Sequence, residues 1–244
     1  MADFHVSREA VFLQQQRIKT IRRALVSTLP VFAGYLGLGF GFGVILRTRG
    51  YPVWLAPVMA CTMYAGSMQY VAVDLLTGGV SLLTAAVTTL MVNARHLFYG
   101  ISMIDKYKGA SWRRPYLMFS LTDETYSLLC SDTTTDNTRF DYYFFVSLFD
   151  QCYWILGCTL GAVAGGFLPF KSDGIDFVLT ALFVTIVVDQ WKQNSNHLPV
   201  LIGMLAALGS LLIFGSDNML IPAMLLIAAV LTLLRKKEVT KDGD

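Results

Sequence analysis

Long uncharged segments, separated by short clusters of charge, are the feature that most constrains how this chain can fold. Runs of 17 to 23 residues without Asp, Glu, Lys or Arg include 24–46, 51–73, 75–94, 199–216 and 218–234. A helix needs about 20 apolar residues to cross the core of a bilayer. Charged residues make up 15% of the chain, against about 25% in soluble proteins. The sequence therefore predicts an all-α, polytopic transmembrane helix bundle.

The apolar pattern predicts about seven helices, with a range of six to eight. The candidate segments are 24–46, 51–75, 78–103, 115–130, 142–168, 175–191, 198–215 and 218–234. Segment 115–130 is short and acidic at its middle, so we expect a partial, re-entrant or cavity-lining helix. The glycines that follow Pro30, and Gly66 further on, predict one or two broken helices. A Gly-rich run followed by a loop and an apolar run occurs at 37–73 and again at 157–190, which suggests an internal repeat.

The distribution of charge divides the chain into three parts. Residues 1–23 form a basic segment, residues 24–234 a single transmembrane permease domain, and residues 235–244 a charged tail. Loops rich in Lys and Arg stay in the cytoplasm, which predicts a cytoplasmic location for both termini and for the basic loop 105–114. Three full crossings before residue 105 would place that loop outside, so either one early segment does not cross or the charge rule is broken once.

Several classes of protein lack support in the sequence. The chain has no HExxH, GxSxG or GxGD motif and no P-loop, so nothing indicates an enzyme or an ATP-driven transporter. The four cysteines lie in or beside apolar runs without metal-ligand spacing, and we expect no disulfide, metal or cofactor. The basic residues are spread over separate loops, which gives no surface for nucleic acid. The N-terminus does not resemble a secretory signal.

Arg95 is the most informative single residue, because a guanidinium at membrane depth costs several kcal/mol unless it faces the protein interior. It lies about ten residues from the basic loop, roughly 15 Å along a helix, which is too far for easy snorkelling. We predict an acidic partner, with Asp123 or Glu124 favoured and Asp74 second. The adjacent His96 is a candidate proton carrier.

Three short segments contain the candidate site residues. The first, TMYAGSMQYVAVD, contains the predicted binding residues Tyr64, Gly66, Ser67 and Gln69; the second, NARHLFYG, contains Asn93, Arg95 and Tyr99. Ser67, Tyr70 and Asp74 are spaced to share one helix face. A helix broken at Gly66 would offer free amides to a carboxylate. The alternative for this segment is close helix packing through its small residues.

The third segment, SLTDETYSL, contains two adjacent acids. Asp123 and Glu124 point about 100° apart on a helix, so we expect one to face Arg95 or the substrate and the other to face solvent or a loop. Both are candidates for proton coupling, together with His96. The alternative is a surface helix with ordinary solvated acids. We assign the remaining acids Asp74, Asp150 and Asp189 to structural roles.

At these spacings the three segments resemble the AzlC family of branched-chain amino acid exporters, over about residues 24–215. Met68 and Tyr70 depart from residues common in that family, which affects the substrate range rather than the class. The resemblance implies a multi-pass permease of the prokaryotic cell membrane. It also implies a second, small membrane subunit of the AzlD type.

The residues and the resemblance together favour proton-coupled export of branched-chain amino acids. A zwitterionic substrate needs an anion for its ammonium, a cation or free amides for its carboxylate, and an apolar pocket for its side chain. The three segments offer all of these groups. The alternatives are a non-transporting accessory or sensory membrane subunit, in which the buried charges are structural pairs, and an amino acid uptake permease or channel.

Overall fold

The computed structural model of the protein describes residues 2–134, 138–167, 196–215 and 219–241, with residues 184, 187, 188, 191 and 192 as isolated positions. The chain forms two compact units, Met1–Ser172 and Asp173–Asp244. Asp189 and most of the predicted helix 175–191 lie outside the described residues, as does much of the second copy of the suggested repeat.

The described residues form nine α-helices and no strand. The all-helical class is as the apolar pattern predicts, whereas the count exceeds the predicted six to eight. The first unit contains α1 (Ala2–Thr48), α2 (Leu55–Thr62), α3 (Gly66–Thr77), α4 (Leu82–Met103), α5 (Arg114–Phe119), α6 (Asp123–Cys130) and α7 (Arg139–Phe167); the second contains α8 (Leu198–Phe214) and α9 (Leu220–Lys241). Two of them are long and apolar enough to cross a bilayer, over Gln14–Thr48 and Arg139–Gly165. The predicted segments 51–75 and 115–130 each form a pair of shorter helices.

Helix α1 differs from the sequence prediction at both of its ends and at its middle. It begins in the basic segment 1–23 and runs without a break for 47 residues, about 70 Å. This exceeds the roughly 30 Å of the hydrocarbon core. The predicted break after Pro30 is wrong, because α1 stays helical there, and Gly39 and Gly43 serve in helix packing.

Helices α1 and α7 form the main packing interface of the first unit. A Cβ atom on Gly39 would lie 2.9 Å from the backbone nitrogen of Cys158, and one on Gly157 would lie 2.7 Å from the carbonyl oxygen of Tyr35. Gly43 and Gly161 approach the opposite backbone still more closely. Small residues four apart let two membrane helices approach closely. The glycines therefore fix the position of α7 against α1.

The basic loop after α4 is hydrogen-bonded to the C-terminal end of α6. Lys106 Nζ donates hydrogen bonds to the carbonyl oxygens of Leu129, Cys130 and Asp132 at 2.9, 2.6 and 2.9 Å. A cation at this position satisfies carbonyls that the end of a helix leaves free. Lys108 pairs with Asp105 at 2.6 Å, and this hydrogen bond lowers the pKa of the Asp105 carboxyl. The four cysteines are free; Cys158 is buried at the glycine interface, and the other three are exposed.

Candidate functional site

The first break in the helices lies at Met63–Ala65, between α2 and α3, as Gly66 predicts. Tyr64 has a φ angle of +41°, a left-handed conformation that is uncommon for residues other than glycine. The next residue is Gly66, and a larger residue would be crowded there, because a Cβ atom would lie 3.1 Å from the Trp154 ring. No side chain caps the first turn of α3. The break therefore leaves the first amides of α3 without a side-chain cap from Ala65.

The second break separates α5 from α6 at residues 120–122. Thr122 is extended, and its hydroxyl accepts a hydrogen bond from the backbone nitrogen of Thr125 at 3.4 Å. This cap starts α6 at Asp123. The acidic pair consequently occupies the first turn of a helix, where a negative charge is favoured.

Arg95 connects the two breaks. Its Nη2 atom donates a 2.9 Å hydrogen bond to Ser67 Oγ in the first turn of α3, and its Nη1 atom pairs with Asp123. The predicted acidic partner is confirmed, whereas Asp74 lies on the surface, 3.8 Å from Arg49. The side chains of Arg95 and Asp123 are 38% and 33% exposed. The pair is therefore open on one side.

An open cavity of about 220 Å³ is lined in part by Asn93 and His96, which lie two residues before and one residue after Arg95 on α4. Its lining residues are Met63, Tyr64, Ala65, Asn93, His96, Met118 and Phe119. His96 Nδ1 lies 3.2 Å from the carbonyl oxygen of Asn93. The Tyr64 hydroxyl is buried without a hydrogen-bond partner among the described residues. Three of the predicted site residues thus line one cavity, together with apolar side chains that the sequence did not single out.

Other predicted site residues lie outside the cavity lining. Gln69 is fully buried and accepts a 2.7 Å hydrogen bond from Trp154 Nε1. Tyr99 stacks on Tyr126, with ring centroids 4.5 Å apart. Gly66 packs against Trp154, which is the alternative of close helix packing. The structure thus gives Gln69 a hydrogen bond inside the protein and gives Tyr99 and Gly66 packing contacts with aromatic rings.

The face predicted for Ser67, Tyr70 and Asp74 does not form one site. Ser67 contacts Arg95, and the Tyr70 hydroxyl donates instead to the carbonyl oxygen of Leu38 on α1. Asp74 lies at the surface. Spacings of three and four residues place the three side chains on one side of α3, but that side meets different neighbours along its length.

The two remaining central acids are hydrogen-bonded to hydroxyl groups. Glu124 accepts a 2.7 Å hydrogen bond from Tyr35 of α1, so the expectation that one of the paired acids faces solvent or a loop is wrong. Asp150 is fully buried and accepts a 2.8 Å hydrogen bond from Thr125. A structural role is the prediction for Asp150, and its position midway along an apolar helix also indicates a functional one.

The described residues contain no group of three His, Cys, Asp or Glu side chains placed to hold a metal ion. What the geometry offers is a small, mainly apolar cavity beside a guanidinium, a carboxylate and the free amides of a broken helix. These groups match the chemistry of a small zwitterionic ligand.

Comparison with known proteins agrees with this description. The profile of the family described as "AzlC protein" matches residues 30–168. The Branched-chain amino acid transport protein AzlC of Bacillus subtilis (strain 168) is 41% identical over 216 residues, which cover 88% of this chain and 85% of the relative. An uncharacterized membrane protein of Haemophilus influenzae is 36% identical over 234 residues, 93% and 96% of the two chains.

A more distant relative is the inner membrane protein YgaZ of Escherichia coli (strain K12). It is 28% identical over 202 residues, covering 77% of this chain and 80% of the relative. No solved structure matches the chain.

Proposed function

The chain belongs to the AzlC family and is a multi-pass protein of the prokaryotic cell membrane, and on that premise we propose that it exports branched-chain amino acids. The name of the Bacillus subtilis relative supports the substrate class. The observation that carries the proposal is the position of Arg95, which joins the first turns of two broken helices beside a small apolar cavity.

The groups around the cavity can hold the charged ends of an amino acid. The substrate carboxylate binds the Arg95 guanidinium and the uncapped amides at the start of α3, where the helix dipole favours an anion. The substrate ammonium binds the side-chain oxygen of Asn93 and Asp123, whose buried Oδ1 atom has no hydrogen-bond partner in the part of the chain that the structure describes. In the absence of substrate Arg95 and Asp123 neutralise each other.

The size and apolar lining of the cavity favour a branched aliphatic side chain. Its volume of about 220 Å³ is below the roughly 300–1,000 Å³ of sites for drug-sized ligands. Met63, Met118 and Phe119 form its apolar walls. Each buried CH₂ group contributes about 0.8 kcal/mol, so leucine, isoleucine and valine bind better than smaller amino acids.

We propose that transport is coupled to protons through Asp123, Glu124 and His96. The ion pair of Asp123 and Arg95 is partly exposed, so a substrate or a proton can reach it. His96 lines the same cavity. Exchange of substrate needs only binding and reorientation, whereas accumulation needs a proton to load and unload at the site.

A small AzlD-like subunit completes the proposed transporter. Helix α4 buries only Thr88 and Met103. Leu90, Leu97 and Phe98 are 61–66% exposed on the same helix. This face can contact lipid or a second membrane helix, and α4 also contains Arg95. A partner on α4 would therefore contact the helix that positions Arg95.

Transport in proteoliposomes that contain the chain and its small partner tests the proposal. We expect exchange of labelled leucine in the wild type, and loss of exchange in Arg95→Gln. Arg113→Gln is the matched control, because Arg113 pairs with Asp141 away from the cavity. Exchange that survives in Arg95→Gln would contradict the site assignment. A wild type without exchange or uptake would favour the accessory-subunit alternative, and loaded membrane vesicles of both orientations would separate export from uptake.

A further inference from the structure

Glu124 and Asp150 lie at the two ends of an unbroken row of hydroxyl groups. Tyr35 Oη lies 2.7 Å from Glu124 Oε2 and 2.6 Å from Thr122 Oγ1. Thr122 Oγ1 lies 3.1 Å from Thr125 Oγ1, which lies 2.8 Å from Asp150 Oδ2. Four hydrogen-bond contacts thus join an acid on α6 to an acid on α7 through side chains of α1 and α6.

The number of hydroxyl hydrogens along this row can be compared with the number of hydrogen-bond contacts that need one. Each hydroxyl has one hydrogen to donate, so the three hydroxyls supply three hydrogens for four contacts when both carboxyls are ionised. One pair of oxygens would then face each other at hydrogen-bond distance without a hydrogen between them. A single added proton, on either carboxyl, fills all four contacts.

The surroundings of the row also favour one bound proton. Asp150 is fully buried, and an ionised carboxylate in that environment is costly without a cation or several donors. The groups that act on it are Thr125 and Glu124 of α6, Tyr35 of α1, Tyr64 of the first break and Tyr116 of α5. None of these described groups is a cation. The groups that act on Glu124 are Tyr35, Tyr64, Asp123 and Arg95, and Arg95 is paired with Asp123.

We propose that Glu124 and Asp150 share one proton and exchange it through Tyr35, Thr122 and Thr125, so that Asp150 is the buried end of the proton route. This inference rests on the proposed transport function and extends its coupling residues to α7. When the proton moves from Asp150 to Glu124, each hydroxyl passes its hydrogen to the next oxygen and receives one from the oxygen before it. One carboxyl gains a proton, the other loses one, and the three hydroxyls are restored.

The row of hydroxyl groups between Glu124 and Asp150 lies next to the proposed substrate cavity. Tyr64 lines the cavity, and among the described residues neither its hydroxyl nor the Oδ1 atom of Asp150 has a hydrogen-bond partner. Tyr64 also lies within electrostatic range of Asp150 and Glu124. A substrate that moves Tyr64 therefore changes the surroundings of both acids. This gives a physical route by which substrate binding alters where the shared proton resides.

Infrared spectroscopy of the full chain in lipid nanodiscs tests the proton without requiring transport. We expect the carbonyl-stretch band of a protonated carboxylic acid in the wild type and its loss in the double variant Asp150→Asn/Glu124→Gln. Thr125→Val and Tyr35→Phe should shift the band, because each removes a hydroxyl from the row. Thr28→Val is the control, because Thr28 is equally buried but donates to the carbonyl oxygen of Ala24. An unchanged band in the double variant would overturn the proposal.

Transport by Thr125→Val tests the role of the row while both acids remain. We expect leucine accumulation driven by a pH gradient to fall by about 100-fold, the smaller end of what a positioned proton-transfer group contributes, while leucine exchange stays near the wild-type rate. Thr125→Ser should restore accumulation because it restores the hydroxyl. Accumulation that persists in Thr125→Val would overturn the proposed route. A wild type that shows the infrared band but neither accumulation nor exchange would contradict the transport function alone.

Discussion

Arg95 of α4 is paired with Asp123, the first residue of α6, and both side chains are about one third exposed. The pair ties a long helix to the start of a short one, and Arg95 also holds Ser67 at the start of α3. Contacts with the first turns of α3 and α6 therefore hold Arg95 in place, and the ion pair remains accessible from one side. A site of this kind can exchange an internal partner for a charged substrate without leaving either charge unpaired.

Breaking this pair should destabilise the protein less than breaking a fully buried one. We expect Arg95→Gln and Asp123→Asn to be non-additive, with a coupling energy of about 1–2 kcal/mol. This lies between the values for exposed and buried pairs. A double-mutant cycle of unfolding in detergent measures it. Additive effects of the two changes would show that the contact contributes nothing to stability.

The glycines of α1 should differ sharply in their tolerance of alanine. Gly43→Ala places a methyl group against the carbonyl oxygen of Cys158, whereas a Cβ atom on Gly37 meets nothing within 4 Å. We expect Gly43→Ala to reduce the yield of folded protein strongly, since helix α7 must move away. Gly37→Ala should be neutral or stabilise by about 0.5–1 kcal/mol, because alanine favours the helix. Thermal unfolding of both variants in detergent makes the comparison. Equal behaviour would contradict the packing interface.

The parts of the structure that follow from local chemistry could be predicted from the sequence. Uncharged runs of membrane length predict helices, and the cost of an unpaired guanidinium predicts an acid beside Arg95. The flexibility of Gly66 predicts a break, which the structure places at Met63–Ala65. In each case the chemistry of one residue type, or of one uncharged run, allows only a few structural environments, so the sequence alone predicts the outcome.

The parts that depend on which helices meet could not be predicted in this way. Gly39 and Gly43 permit either a break or a close approach, and only the presence of α7 selects the approach. Glu124 faces Tyr35 because α1 passes α6 at that point. Asp150 joins the site through Thr125, 25 residues earlier in the chain. Pairings between distant segments have no signal in a single sequence.

The loop 105–114 should be cytoplasmic, because it concentrates four basic residues. Lys108 is well exposed, so a cysteine at that position is accessible to a reagent on its own side of the membrane. In a chain without its four native cysteines, we expect Lys108→Cys to resist an impermeant thiol reagent added to intact cells and to react after lysis. Ready labelling of intact cells would place the loop outside.

The apolar wall of the cavity should set the preference among amino acids. Met118→Ala removes apolar contacts from a lining residue while leaving Arg95, Asp123 and the amides of α3 in place. A loss of contact equivalent to about two CH₂ groups, at about 0.8 kcal/mol each, weakens leucine binding by about tenfold. Alanine does not reach the wall, so its weaker binding should not change. Competition by unlabelled leucine and alanine in the exchange assay measures the ratio. Met204→Ala is the control, because Met204 is an exposed residue of α8 outside the lining. An equal loss for both amino acids in Met118→Ala would show that the cavity does not hold the substrate side chain.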